Sequence, residues 1–206
     1  MKYLIPLIAI LLIMIPLTRN SNTPKTVLDK SDTVLAIGDS LTNGYGASQG
    51  ESYPDYLREL TGLHIVQSGI NGETSSEGLR RLPKLLERYR PKLTILCYGG
   101  NDILQKQSLS HLKKNLIKMV SLCKASGSDV LLISVPNFTL FGLEPLPLYE
   151  EVAQETDTPL VEGILAKILE DPSLKSDQIH PNAKGYRQLA EAVYEKLKEE
   201  GWIETP

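Results

Sequence analysis

Short, continuously apolar runs rich in β-branched residues alternate along this chain with longer stretches of helical period, and that alternation leaves few folds open. It is the pattern of an α/β domain built on a parallel sheet. Five strands are predicted, near residues 33–37, 64–67, 93–98, 130–135 and 159–161. Because these runs are hydrophobic throughout rather than at every second residue, helices are expected to cover both faces of the sheet. Between the strands, Leu79, Leu82, Leu86 and Tyr89 share one helical face, as do Leu112, Leu116, Met119 and Cys123. A last segment places Tyr186, Leu189, Ala190, Val193 and Leu197 at the same spacing after Pro181-Asn182, which suit a helix start. Further helices are expected over about residues 53–60 and, less regularly, 148–154.

The 206 residues suffice for one well-buried core and are too few for two ordinary domains. A net charge of −3 with scattered Lys and Arg gives no basic stripe, which argues against a nucleic-acid partner. Residues 3–17 form an almost uninterrupted apolar run behind Met1-Lys2, within signal-peptide range and short of the roughly 20 residues that span a bilayer. Pro16-Leu17-Thr18-Arg19-Asn20 is a poor cleavage site, so a membrane anchor stays open beside a signal peptide. The expected division is therefore a signal peptide or anchor over residues 1–18, a flexible tether over 19–32 and the folded domain over 33–203. Cys97 and Cys123 fall in apolar patterns without metal-ligand spacing and read as small buried hydrophobes.

Four blocks fall just past predicted strand ends or before the last helix: Gly38-Asp39-Ser40-Leu41, Asn71-Gly72-Glu73-Thr74, Gly99-Gly100-Asn101-Asp102 and Asp177-Gln178-Ile179-His180-Pro181. An open parallel sheet binds its ligands beyond the carboxyl ends of its strands, so these blocks are expected to converge on one edge. Each supplies a part that acyl transfer needs. Ser40 is the candidate nucleophile, with a helix cap as its plain alternative. His180 alone among the three histidines has an acid at short fixed distance, so Asp177 can orient its ring as the base toward Ser40. The Ser40 and Gly72 amides and the Asn101 side chain are candidate oxyanion donors, although turn glycines and an ordinary Gly-Asn turn look the same locally. Asp39 and Asp102 are read as loop-supporting groups. A metal-dependent phosphoesterase built from Asp39, Asp102, Asp177 and His180 lacks a ligand-spaced motif.

In this order the blocks resemble the GDSL, or SGNH, hydrolase family, whose second name spells Ser, Gly, Asn and His as Ser40, Gly72, Asn101 and His180. Ile37 to Thr42, Gly72-Glu73-Thr74-Ser75, Gly78-Leu79, Arg81-Leu82-Pro83 and the last two blocks are most similar to its bacterial thioesterase/lysophospholipase and arylesterase branch. The resemblance covers residues 33 to about 200. It implies a three-layer flavodoxin-like fold with a five-stranded parallel sheet, a serine hydrolase acting on esters or thioesters, no metal or other cofactor, and an exported, periplasmic enzyme. A carbohydrate O-acetylesterase and a silent membrane-tethered binding domain are the alternatives. The segment after the fourth strand departs from the branch and looks short. There Phe138, Leu140, Phe141 and Leu143 are candidates to line an acyl groove, with a hydrophobic loop packed on the core as the alternative.

Overall fold

The computed structural model describes residues 27–139 and 142–204. In chain order the elements are β1 (Thr33–Gly38), α1 (Ser40–Asn43), α2 (Tyr53–Thr61), β2 (His64–Gly69), α3 (Ser75–Tyr89), β3 (Leu93–Cys97), α4 (Gly100–Leu104), α5 (Leu109–Ala125), β4 (Asp129–Ile133), β5 (Asn137–Thr139), β6 (Gly142–Glu144), α6 (Pro147–Thr156), β7 (Leu160–Val161), α7 (Ile164–Glu170) and α8 (Ala183–Glu199). Five strands make one parallel sheet in the order β2-β1-β3-β4-β7. Helices α3, α5 and α6 pack together on one face, and α2, α7 and α8 on the other. This is the expected three-layer flavodoxin-like α/β fold.

The five main strands lie where the apolar runs placed them, and the register explains why they matter together. Gly38 pairs with Gly69 on one side and with Cys97 on the other. The three chains therefore leave the sheet at one level, and β1 and β3 flank the point where the strand order reverses. Local signals fix where the flanking helices start. Ser52 with Asp55 and Thr74 with Glu77 form reciprocal capping boxes at α2 and α3. The predicted helical faces are buried, with Leu112, Leu116, Met119 and Cys123 of α5 and Tyr186, Leu189, Ala190, Val193 and Leu197 of α8 all in the core. Both cysteines are free and buried.

Five short elements differ from the sequence expectation. α1, α4 and α7 are single short helices, and the β5–β6 hairpin occupies the segment read as a loop. Elements this short carry too few residues for a period to register. The packed chain also begins before residue 33. Leu28 is buried, and its N–H bonds the Trp202 carbonyl at 2.7 Å, so residues 27–32 are folded onto the domain. The expected leader over 1–18 and residues 19–26 of the expected tether lie outside the described residues. Among the described residues no helix is long and apolar enough to cross a membrane.

Candidate active site

Ser40 leaves β1 as the first residue of α1, where a backbone N–H has no partner within the helix. Asp39 caps that helix by accepting the Leu41 N–H at 3.0 Å. The turn is tight because Gly38 has no side chain: a Cβ there would sit 2.2 Å from Thr42 Oγ1 and 2.5 Å from the Cys97 carbonyl. Tyr186 of α8 reaches back to donate to the Tyr45 carbonyl at 2.8 Å, tying the segment after Ser40 to the opposite end of the chain.

The Ser40 hydroxyl lies 2.9 Å from His180 Nε2, and His180 Nδ1 lies 2.8 Å from an Asp177 carboxylate oxygen. A carboxylate at Nδ1 holds the ring proton there and leaves Nε2 to accept from the serine. The other Asp177 oxygen accepts the N–H groups of Ile179 and His180, both at 2.8 Å. Partial burial pushes the Asp177 carboxyl up, but the Ile179 N–H and the His180 ring outweigh it and hold the carboxyl below its ordinary range. The turn is closed by a bridge between Lys175 and Pro181 and by Asn182. Asn182 caps α8 with its oxygen and donates its amide to the Ser173 carbonyl at 2.9 Å. Tyr45 stacks obliquely on the His180 ring with centroids 4.6 Å apart, leaving the ring only 13% exposed.

Gly72 and Asn101 line the same cavity as Ser40 and His180. Gly72 holds φ at +78°, with nothing near the place a Cβ would take, so it is conformation rather than space that asks for glycine. Asn101 stands in the first turn of α4, not in a simple turn, and its amide nitrogen donates to the Glu73 carbonyl at 3.1 Å and to Asp39 at 3.3 Å. Asp102 accepts the Ser75 N–H at 2.9 Å and the Ser75 hydroxyl at 2.6 Å, stitching α4 to the start of α3. Full burial pushes Asp39 up to about 7 against the Leu41 N–H, and the neighbouring Asp102 and Glu73 charges add to the rise.

The cavity holds about 230 Å³ and is walled by Leu41, Leu104, Val135, Phe138, Leu169 and Ile179. Of the sequence candidates for this wall, Phe138 takes its place, Leu143 pairs with Phe138 across the hairpin, and Leu140 and Phe141 lie outside the described residues. Sequence reasoning missed Tyr45, Leu104 and Leu169. The first carries a signal, an aromatic side chain between Gly44 and Gly46 soon after the serine. The others come from α4 and α7, whose few residues show no period. Asp177 and His180 bond each other, Asp39 holds Leu41 and Asn101, and Asp102 holds Ser75, and among the described residues no cluster of three or more His, Cys, Asp or Glu could hold a metal ion.

Comparison with known proteins finds relatives of this chain and of its fold. The chain is 29% identical to an arylesterase of Vibrio mimicus, over 81% of this chain and 88% of that one. It is likewise 29% identical to thioesterase 1/protease 1/lysophospholipase L1 of Escherichia coli K12, over 82% and 84% of the two chains. The crystal structure of TesA superposes with a TM-score of 0.76 at 29% identity, over 82% of this chain and 99% of that one. The sequence pattern of the GDSL-like lipase/acylhydrolase family matches residues 36–188, which includes every block from Ser40 to His180, and the chain belongs to that family.

Proposed function

We propose that this protein hydrolyses carboxylic esters or thioesters through an acyl-enzyme on Ser40. The observation that carries the reading is the hydrogen-bonded chain from Asp177 through His180 to Ser40, opening on a cavity with apolar walls. His180 takes the Ser40 proton as the oxygen attacks the carbonyl carbon, and the resulting imidazolium is stabilised by Asp177. The tetrahedral oxyanion is held by the Ser40 and Gly72 N–H groups and by the Asn101 amide, which exchanges its long contact to Asp39 for the substrate. His180 then gives its proton to the departing alcohol or thiol. Water, deprotonated by the same ring, releases the acid.

The enclosed volume is small beside the roughly 300–1,000 Å³ usual for small-molecule sites, so it suits a short acyl group. A longer chain would run out between the half-exposed Tyr45 and Leu104. The same apolar wall favours an acyl chain over the acetylated sugars of a carbohydrate esterase. The apolar residues 3–17 support export to the periplasm through a signal peptide, with a membrane tether as the alternative. On a short p-nitrophenyl ester, Ser40→Ala is expected to lower kcat by about 10⁴-fold or more with the thermal midpoint nearly unchanged. Near-full activity in that variant would overturn the assignment.

A further inference from the structure

The acid that follows Gly72 is buried. Glu73 is 6% exposed and takes no part in the proton relay, yet its carboxylate receives Arg81 through Nε and a terminal nitrogen, both at 2.6 Å, and the Tyr98 hydroxyl at 2.6 Å. The Arg81 fork reaches further. It donates to the Ser68 hydroxyl at 2.6 Å and the Ser68 carbonyl at 2.7 Å, and lies 3.3 Å from the Gly38 carbonyl. Gly38 ends β1 just before the nucleophile, Ser68 lies at the end of β2, and Tyr98 follows β3. One guanidinium thus joins the carboxyl ends of the three strands that carry Ser40, Gly72 and Asn101.

The same residue that anchors this network also faces the oxyanion side. The Glu73 carbonyl is the nearer of the two acceptors that hold the Asn101 amide, and its N–H bonds the Ile70 carbonyl at 3.1 Å, closing the turn that presents Gly72. A shift of the Glu73 backbone would therefore move two donors at once.

We propose that the Glu73–Arg81 ion pair is the positioning device of the oxyanion site, setting the Gly72 N–H and the Asn101 amide relative to the Ser40 hydroxyl. The inference rests on the reading of Ser40, Gly72 and Asn101 as acyl-transfer groups, and it adds two residues that touch no substrate. Misplacing such donors by about 1 Å is enough to cost on the order of 10²-fold in rate. A lysine in place of Arg81 keeps a charge but has no fork, so it can satisfy only part of the network.

The test measures kcat and KM on p-nitrophenyl butyrate for Glu73→Gln, Arg81→Lys and the paired Glu73→Gln/Arg81→Met, with folding followed by circular dichroism. The paired variant is included because it leaves no buried charge without its partner, so it stays folded if a single change does not. In the folded variants kcat is expected to fall about 10- to 100-fold with KM within threefold, and Arg81→Lys to be the mildest. Combined with Asn101→Ala, Glu73→Gln should cost less than about threefold more, because the donor it positions is already gone. Near-wild-type kcat in folded Glu73→Gln or in the paired variant, a loss confined to KM, or losses that multiply fully with Asn101→Ala would overturn the proposal. If Asn101→Ala is impaired and Glu73→Gln is not, the positioning role fails alone. A wild-type protein without ester hydrolysis overturns the reading of the site and this role together.

Discussion

The two banks of the cavity are built by different means. On the bank of Ser40, Gly72 and Asn101, the charged groups Asp39, Glu73 and Asp102 are all buried, and the bonds that place them join residues 27, 28 and 62 positions apart. On the bank of His180, the bonds that shape the turn span two, three and nine positions, and Asp177 is 44% exposed. The first bank exists only when three strands are paired in register. The second is close to a local motif. In the proposed reaction, a site divided this way separates two demands: donors for a developing charge need a rigid, dry frame, while the acid that orients the base can stay in contact with water.

The contrast can be broken from either side. Of the changes that leave Ser40 in place, Asp177→Asn should cause the largest loss, about 10²- to 10⁴-fold in kcat, because the ring loses the acceptor that fixes its tautomer. Since the turn is local and exposed, the thermal midpoint should hardly move, and a variant that unfolds would show the His180 bank to be more than a local motif. Asp102→Ala is the mirror case. It leaves the Ser75 N–H and hydroxyl buried and takes an acid from the start of α3, so a destabilisation of about 2–4 kcal/mol is expected in urea.

Asp39 sharpens the same difference through pH. Its carboxyl is raised to about 7 in the fold from an ordinary value of 3.8, so the folded state binds this proton more tightly than the unfolded chain does. The stabilisation is present in full below pH 3.8 and is lost as pH rises toward about 7, a change on the order of a few kcal/mol. Asp39→Asn, which can still cap α1, should lessen the fall in urea midpoint between pH 4.5 and 8; an unchanged profile would remove Asp39 as its source. Smallest of all is Asn182→Ala. Loss of the α8 cap should cost about 1 kcal/mol, with a few-fold drop in kcat as the His180 turn loosens.

Much of this was legible from the chain. The main strands and the packing faces of α3, α5 and α8 follow from periodicity, because each is long enough for burial to mark several residues in a row. The Asp177-to-His180 pairing was legible because three residues on one turn keep a short distance in any compact conformation. The hairpin of β5 and β6, and the wall residues Leu104 and Leu169, were not. They belong to elements of seven residues or fewer, whose form is decided by what they pack against. Glu73 and Arg81 carried no local sign of their ion pair either. Eight positions apart on a turn and a helix, they meet only after β2 and β3 have set the height of both.

By itself, then, the amino-acid order determined a parallel α/β sheet, the residues proposed for acyl transfer and the pairing of His180 with Asp177, since each depends on residue type and short spacing. Tertiary structure alone decided that Ser40 and His180, 140 positions apart, stand 2.9 Å from each other, and that the oxyanion side rests on buried charges. The physical reason is closure. Ordering chain segments that far apart is unfavourable until the core between them is formed, and a buried carboxylate is tolerated only where its partners have already been brought to it.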